Sequence, residues 1–337
     1  MRSIEIDLLK KEATKVGLGT WAIGGSLWGG TDEQESIDTI HTAIDKGITL
    51  IDTAPAYGFG RSEEIVGKGL KNYGDREKLI VATKVGLEWD ENNNISRNSS
   101  KERIFKEIDD SLKRLQLDYI DIYQIHWPDA SVPFEETASA MNKLLEQGKI
   151  KSIGVSNYSA EQMEAFRREA PIHFCQPPYN MFEREAEEDV MPYCNRNEIK
   201  TITYGALCRG LLTGKMKPDT KFKGDDLRKN DPKFQEPRYK EYLEAVEKVA
   251  QFAESKYDKS ILHLAVRWVL DQGADIALWG ARKPEQLAEL DEIWDWPLKK
   301  QDLIIINNLI NTTVSDSVGP EFMAPPENDV IHNEKEN

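Results

Sequence analysis

The stretch ITLIDTAPAYGFG, residues 48–60, runs from an apolar segment directly into a loop that carries an acid and a phenol. Two later stretches repeat this arrangement: LIVATKVG, residues 79–86, carries a lysine, and IDIYQIHWP, residues 120–128, carries a histidine. The four polar residues are Asp52, Tyr57, Lys84 and His126. Parallel α/β folds place their chemistry at the carboxyl ends of strands, so these side chains are predicted to meet.

One carbonyl-reducing site can use all four residues. Tyr57 can protonate a carbonyl oxygen while a cofactor delivers hydride to the carbon. Lys84, backed by Asp52, is expected to lower the pKa of the phenol by placing a cation near the phenolate. Each residue alone also has an ordinary structural interpretation as a turn, packing or solvated residue, so the prediction depends on their occurring together.

Short apolar runs alternate with longer amphipathic runs along most of the chain. The strand candidates are residues 15–21, 49–54, 79–85, 119–125, 150–156, 173–179, 200–207 and 275–281. Helix start signals between them are Thr31 with Gln34, Pro133, Ser159 and Lys283–Pro284. This alternation predicts an α/β fold in which a parallel sheet closes as a (β/α)₈ TIM barrel.

We expect a single barrel domain over residues 1–312 and a C-terminal tail over residues 313–337. Residues 215–240 form a polar, proline-containing insertion after the seventh strand, long enough to act as a lid over the barrel mouth. In the tail, the sequence EFMAPP is apolar enough to fold back on the barrel, whereas the last residues are expected to be mobile.

The composition excludes several classes of partner. The 337 residues include 44 Lys and Arg against 59 Asp and Glu, a net charge of −15, so nucleic acid and membrane surfaces are not expected partners. No apolar run approaches the length of a membrane span and the first residues do not resemble a signal peptide, which predicts a cytoplasmic protein. Cys175, Cys194 and Cys208 lack the spacing of a disulfide framework or a zinc site, so no metal is expected.

Residues 17–22 match GxGxxA directly after a strand, the minimal fingerprint of a different dinucleotide-binding fold, the Rossmann domain. The surrounding sequence disagrees, because GGSLWGG at 24–30 intervenes before any helix start signal. The acidic residue that should end a second strand also comes about ten residues late, at Asp52. A Rossmann domain is therefore disfavoured.

The chain resembles the aldo-keto reductase superfamily over roughly residues 15–300. The motifs that carry the resemblance are, in order, DTAPAYGFGRSEEIVG, ATKVG, QIHWP, GVSNYS, QPPYN and LLTGK. The stretch WGARKPEQL is similar to that of bacterial NADPH-dependent members. The resemblance implies a (β/α)₈ barrel, an extended NADPH or NADP⁺ cofactor, and a catalytic tetrad of Asp52, Tyr57, Lys84 and His126.

The resemblance also implies cofactor contacts along the barrel mouth. Nicotinamide and its ribose would meet Thr20, Trp21, Asp52, Ser156, Asn157, Gln176 and, by stacking, Tyr204. The pyrophosphate would lie along Gly205, Leu207, Cys208, Arg209, Gly210 and Lys215, and the adenosine end would meet Gly280, Arg282, Gln286 and Glu289. Arg228 would close over the cofactor. Two departures from better-known members, Gly205 in place of serine and Leu290 in place of asparagine, make differences at the pyrophosphate and adenine expected.

The expected function is NADPH-dependent reduction of an aldehyde or ketone, with Tyr57 as general acid. Trp28, Trp89 and Trp127 are expected to bind a compact or apolar carbonyl substrate, with Trp127 the strongest candidate. One alternative is an NADP-dependent dehydrogenase of a sugar or polyol, because the same residues serve both directions. A role like that of potassium-channel β-subunits is disfavoured by the acidic composition, and a monomer is expected.

Overall fold

The computed structural model describes residues 2–326 of the chain. Its strands are β1 (Ser3–Ile6), β2 (Lys11–Thr14), β3 (Val16–Gly19), β4 (Leu50–Asp52), β5 (Ile80–Val85), β6 (Leu87–Trp89), β7 (Ile95–Arg97), β8 (Ile122–Ile125), β9 (Ile153–Ser156), β10 (Phe174–Gln176), β11 (Lys200–Thr203) and β12 (Ile276–Gly280). Its α-helices are α1 (Glu33–Asp45), α2 (Arg61–Tyr73), α3 (Lys101–Leu115), α4 (Phe134–Glu146), α5 (Ala160–Phe166), α6 (Val190–Arg196), α7 (Arg238–Tyr257), α8 (Ile261–Asp271) and α9 (Lys300–Asn311).

Eight parallel strands close into a barrel, which confirms the predicted TIM barrel. Around the barrel the strands follow the order β3, β4, β5, β8, β9, β10, β11 and β12, and β12 pairs with β3. Each predicted apolar run contains one of these strands, although the runs extend past the strand ends. Both faces of such a strand are covered, so its residues are buried without alternation, as in β5.

An N-terminal hairpin of β1 and β2, absent from the sequence prediction, covers the amino-terminal end of the barrel. Ile6 and Ala13 of the hairpin pack in one cluster with Leu50 and Ile80, which stand early in β4 and β5. Lys11 Nζ lies 2.7 Å from Asp121 Oδ1 and fixes the hairpin electrostatically. The strands are short and rich in charge, so their apolar pattern is weak.

Helix starts match the predicted signals in part. Ser159 forms the capping box that opens α5, whereas the cap of α1 is Asp32, which accepts from Glu35 N, rather than Thr31. Lys283 precedes a short 3₁₀ helix, Pro284–Leu287, instead of an α-helix. A helix-dipole contribution beside Arg282 is correspondingly small, since aligned peptide dipoles need several turns to add.

The insertion after β11 crosses to the loop that follows β3. Asp225 accepts from Leu27 N at 2.7 Å and Gly29 N at 3.2 Å, and Leu227 N donates to Leu27 O at 3.0 Å. Residues 24–30 and 223–228 are thus joined above the barrel mouth, an arrangement that fits the predicted lid.

The described part of the C-terminal tail returns to the barrel. Lys233 Nζ donates to Gly319 O at 2.8 Å, and Arg97 N donates to Pro326 O at 3.3 Å. The remainder of the predicted mobile end lies outside the described residues. None of the helices in residues 2–326 is long and apolar enough to cross a membrane.

Candidate active site

The four polar residues that were predicted to meet lie together at the carboxyl end of the barrel. Asp52 ends β4, Lys84 lies in β5, His126 follows β8, and Tyr57 lies in the loop between β4 and α2. Lys84 Nζ donates to Asp52 Oδ2 at 2.7 Å, to Thr53 O at 3.0 Å and to Tyr57 Oη at 3.2 Å. The ammonium therefore lies directly between the buried carboxylate and the phenol.

Aromatic rings surround the phenol of Tyr57. The ring of His126 meets it edge-on at a centroid distance of 5.6 Å, and Trp21 stacks against it at 5.9 Å with an interplanar angle of 26°. Both distances lie in the range of favourable aromatic pairs. The phenol is held in one orientation, with its oxygen toward Lys84.

Burial and charge set the protonation states in this cluster. Burial, and then the negative charge of Asp52, raise the pKa of Tyr57 well above its ordinary value of 10.0. Contrary to the expectation that Lys84 lowers it, this pKa is raised in the protein alone, because burial of the phenol and then the charge of Asp52 dominate. Burial lowers the pKa of Lys84, with Asp52 opposing. Burial and then Lys84 lower the pKa of His126 well below 6.5, so its imidazole is neutral at neutral pH.

Three buried hydroxyl groups fix the end of β4, and two of them, on Thr53 and Ser62, were not predicted as site residues from the sequence. Thr20 Oγ1 donates to Asp52 O at 2.8 Å, Ser62 Oγ donates to Thr20 O at 3.0 Å, and Thr53 Oγ1 donates to Ser62 Oγ at 2.9 Å. Ser62 stands in the segment GRSEE, where a serine at a helix start would ordinarily be read as a cap.

A cavity of about 600 Å³ opens beside Tyr57, a volume typical of small-molecule sites. The predicted residues on its wall are Thr20, Trp21, Trp28, Asp52, Tyr57, Tyr204, Gly205, Leu207, Arg209, Gly210, Lys215, Arg228, Gly280, Arg282, Gln286 and Glu289. The insertion adds Lys221, Phe222 and Lys223 to the cavity wall, and these three were not predicted as site residues from the sequence.

The residues expected at the nicotinamide carboxamide lie next to this cavity in one hydrogen-bonded chain. Tyr204 Oη donates to Asn157 Oδ1 at 2.8 Å, and Asn157 Nδ2 donates to His126 O at 2.9 Å. Ser156 Oγ donates to Gln176 O at 2.8 Å. The ring of Tyr204 and the backbone of His126 are therefore positioned together.

Two residues expected at the pyrophosphate are not free to bind it as a cation or a thiol: Arg209 is ion-paired with acidic residues, and Cys208 is buried. The guanidinium of Arg209 pairs with Glu183, and its Nε lies 2.6 Å from Asp231 Oδ2. Arg209 is 7% exposed, so it contributes a compensated charge to the cavity wall instead of a free cation. Cys208 is fully buried and is absent from the cavity lining, and burial raises its pKa to about 12.

Three cations near the expected cofactor site, Arg282, Lys283 and Arg228, differ in how far their partners compensate their charge. Arg282 Nη1 donates to Trp28 O at 2.6 Å, a carbonyl that neutralises no charge. Lys283 Nζ lies 2.8 Å from Glu35 Oε1, and Arg228 Nη2 lies 2.6 Å from Asp226 Oδ2. Arg282 is therefore the cation whose charge is least compensated among these three.

The tryptophans divide into two pairs. Trp21 and Trp28 meet edge-on at 5.5 Å and both line the cavity. Trp89 packs against Phe59 at 5.7 Å, and the guanidinium of Arg97 lies 5.6 Å from the Trp127 ring centroid. Neither Trp89 nor Trp127 forms part of the cavity wall. The preference for Trp127 as the substrate contact is thus not supported by its position.

Backbone shape in the cavity suits an extended phosphate-containing ligand. A side chain at Gly280 would project into open space on the cavity wall. Gly205 and Gly210 have φ angles of 77° and 91°, a region that disfavours larger residues. With the surrounding Lys215, Lys221 and Lys223, this cradle fits an anionic dinucleotide. No cluster of metal-ligating residues occurs in residues 2–326.

The barrel fold and this site point to an oxidoreductase. Residues 15–311 match the model of the Aldo/keto reductase family, and the chain belongs to that family. Its members are oxidoreductases that act on small carbonyl substrates with nicotinamide cofactors.

Three relatives illustrate the similarity. The chain is 61% identical to the aldo-keto reductase YhdN of Bacillus subtilis over 95% of this chain and 97% of that protein. It is 36% identical to the NADH-specific methylglyoxal reductase of Escherichia coli, over 86% and 92% of the two chains. The solved glycerol dehydrogenase AKR11B4 of Gluconobacter oxydans shares 48% identity with a TM-score of 0.85, covering 96% and 98%.

Proposed function

We propose that this protein reduces an aldehyde or ketone to the alcohol, with Tyr57 as the proton donor. The observation that carries the proposal is the alignment of Asp52, Lys84 and Tyr57 in one buried hydrogen-bonded line at the edge of the cavity. Perturbed titratable groups that converge beside a cavity are typical of active sites. The proposal would place all of the reaction's proton transfer on this chain's own side chains.

The protonation states support reduction at neutral pH. Because the pKa of Tyr57 is raised, its phenol carries a proton that it can donate to the developing alkoxide. The neutral imidazole of His126 can donate a second hydrogen bond to the same oxygen. Lys84 stabilises the phenolate that remains after proton transfer. The bound cofactor supplies a hydride to the carbonyl carbon.

We further propose NADPH as the cofactor. Arg282 and two lysines of the insertion, Lys221 and Lys223, bring positive charge to the cavity wall, and Lys283 follows Arg282 in the chain, in a protein with a net charge of −15. A 2′-phosphate carries nearly two charges and can use a guanidinium bidentately. The 36% identical relative named as NADH-specific makes this choice an experimental question for the present chain.

The substrate class proposed is a compact carbonyl compound. Trp21 and Trp28 form an apolar corner of the cavity beside Tyr57. Such a corner favours a small substrate with one face that tolerates aromatic contact. Lys221 and Lys223 of the insertion line the same cavity, where the cofactor phosphates are proposed to bind.

Oxidation of a sugar or polyol is the second candidate. The 48% identity to a structure named a glycerol dehydrogenase favours it, and Tyr57 as phenolate would then be the proton acceptor. A panel of aldehydes and ketones with NADPH, set beside alcohols and polyols with NADP⁺ at matched pH, distinguishes the two. Turnover in neither panel, with either phosphorylated or unphosphorylated cofactor, would refute both.

A further inference from the structure

The carboxylate of Asp52 has a partner that the proposed mechanism leaves unused. Asp52 Oδ2 accepts from Lys84, but Oδ1 accepts from two amides: Gln176 Nε2 at 2.8 Å and Gln124 Nε2 at 3.2 Å. The two amides also touch each other, since Gln176 Nε2 lies 3.3 Å from Gln124 Oε1. Gln124 was not singled out in the sequence, where QIHWP drew attention to His126.

Neighbouring strands hold Gln124 in place. It pairs with Lys84 across β5 and β8, and with Gly154 across β8 and β9. The side chain is fully buried and lies over Gly154, where an added Cβ would come within 2.8 Å of Gln124 Cγ. Gln124 therefore has one place to lie, beside the Lys84–Asp52 pair.

The chemistry of the groups fixes which way both amides face. A carboxylate only accepts hydrogen bonds, so Gln124 and Gln176 must each turn their NH₂ group toward Asp52. Gln124 Oε1 is then left to accept from Gln176 Nε2. The carbonyl oxygen of Gln176 consequently faces away from Asp52.

The outward carbonyl of Gln176 is free to accept a ligand. No protein donor within residues 2–326 hydrogen-bonds to this oxygen. This oxygen has no partner in that part of the chain, yet it is not one of the fully buried side-chain atoms that lack one. It is therefore reachable from outside the protein. Such a carbonyl oxygen can accept a hydrogen bond from an amide N–H of a ligand.

We propose that Gln124 is a positioning residue with two separable roles. As a donor, it shares the charge of Asp52 that would otherwise fall on Lys84 and Tyr57. As an acceptor, it holds the amide of Gln176 with its carbonyl outward, toward the carboxamide of a nicotinamide cofactor. The second role rests on the proposed function, whereas the first concerns this chain's own proton-transfer groups.

Two substitutions separate the roles. Gln124→Leu removes the donor and the acceptor at similar volume. Gln124→Glu retains an acceptor for Gln176 Nε2 and, at pH values where its carboxyl is ionised, replaces the donor with a negative charge next to Asp52. Thr203→Val is the matched control, because it removes a buried hydrogen bond from the same barrel, Thr203 Oγ1 to Ile276 O, without contact to Asp52.

The experiment measures NADPH affinity by fluorescence titration, the pH–rate profile of alcohol oxidation, and thermal unfolding of each variant. We expect Gln124→Leu to bind NADPH about fivefold more weakly, the usual effect of one lost hydrogen bond. Gln124→Glu should bind within about twofold of the parent but should need more alkaline pH for oxidation, since added negative charge holds the proton on Tyr57.

Folded Gln124 variants that match Thr203→Val in both affinity and pH profile would overturn the proposal. If Gln124→Leu does not fold, the alkaline displacement in Gln124→Glu still decides the donor role. Failure of the proposed function is recognised separately, because the parent protein would then show neither NADPH binding nor carbonyl turnover.

Discussion

Lys84 Nζ lies 3.2 Å from Tyr57 Oη and, on its other side, 2.7 Å from Asp52 Oδ2. The ammonium is thereby shared between a full negative charge and a neutral phenol, and the carboxylate holds the larger share. Burial of the phenol, and then the negative charge of Asp52, keep the phenol protonated in the protein alone. The arrangement is suited to giving a proton at neutral pH and to taking one at high pH.

Tyr57→Phe tests the proton donor directly. Removing the hydroxyl should lower carbonyl reduction by about 10² to 10⁴-fold, the usual contribution of a general acid. NADPH affinity should be retained, because the ring and its stacking on Trp21 remain. Steady-state kinetics and a fluorescence titration measure the two effects. Turnover within about threefold of the parent would assign the proton to another group.

The pH dependence of the two directions follows from the raised pKa of Tyr57. The phenol remains protonated from neutral pH up to at least its ordinary value of 10.0, so reduction should not decline over that range. Oxidation needs the phenolate and should rise steadily with pH over the same interval. Initial rates in both directions between pH 6 and about 10 measure this. An oxidation rate that reached a plateau near neutral pH would contradict the prediction.

Lys84→Met removes the cation that stabilises the phenolate. Activity at neutral pH should fall in both directions, and the alkaline rise of oxidation should move to higher pH because Asp52 is no longer compensated. The double variant Asp52→Asn/Lys84→Met is the control, since it removes the isolated carboxylate as well and should move the profile back. Profiles of the single variant that keep the shape and height of the parent's would disprove the coupling of Lys84 to Tyr57.

A second buried charge cluster joins the insertion, residues 215–240, to the barrel and should matter for stability. Lys233 Nζ lies 2.8 Å from Glu183 Oε1, and both side chains are fully buried. Burial opposes the charge of Glu183, but Arg209 and Lys233 outweigh it and lower the pKa of this carboxyl. Because the folded-state pKa is lowered, this stabilisation is present at neutral pH and is lost on acidification.

Lys233→Met should destabilise the protein by about 3 to 5 kcal/mol, as expected when one partner of a buried ion pair is removed. Urea unfolding at neutral pH measures the loss. Lys248→Met is the control, because Lys248 Nζ pairs with Glu244 on the surface, where its side chain is 40% exposed, and such pairs contribute under about 1 kcal/mol. Equal effects of the two substitutions would refute a structural role for the buried cluster.

The sequence predicted the barrel and the four central residues because both leave local signals. Parallel strands buried on both faces give continuous apolar runs, and a polar residue at the end of such a run stands out, as Lys84 does. Gln124 gave no such signal, since a glutamine within a strand is ordinary until its neighbours across the sheet are known. The direction of the Tyr57 pKa shift also left no local signal, because it depends on the burial of the phenol and then on its distance from Asp52.

Arg209 illustrates what the sequence could not reveal. The resemblance implied a pyrophosphate contact for it, and the structure adds two buried acidic partners, Glu183 and Asp231, which lie 26 and 22 residues away along the chain. Nothing local in the sequence distinguishes an arginine that meets a ligand from one that meets two buried acids. Arg282 differs from Arg209 because its partner is the carbonyl oxygen of Trp28, which does not compensate the charge of the guanidinium.

The choice between NADPH and NADH is proposed to rest on Arg282. In the protein alone its Nη1 donates to Trp28 O at 2.6 Å, which holds the guanidinium on the cavity wall and leaves other N–H groups for a phosphate. Charge-assisted hydrogen bonds of about 1.5 to 3 kcal/mol each imply at least about a tenfold loss of NADPH affinity in Arg282→Ala. NADH offers a hydroxyl at the same point and should lose little.

The bond to Trp28 O complicates that test, because alanine also releases the loop that carries Trp28. Loss of loop order would weaken both cofactors alike, whereas loss of phosphate recognition weakens NADPH alone. Isothermal titration of both cofactors against the parent and Arg282→Ala separates the two effects. Arg282→Gln adds a control, since its amide can still donate to Trp28 O but carries no charge. NADPH preference lost in both variants supports recognition of the phosphate by charge, and equal losses for both cofactors would refute it.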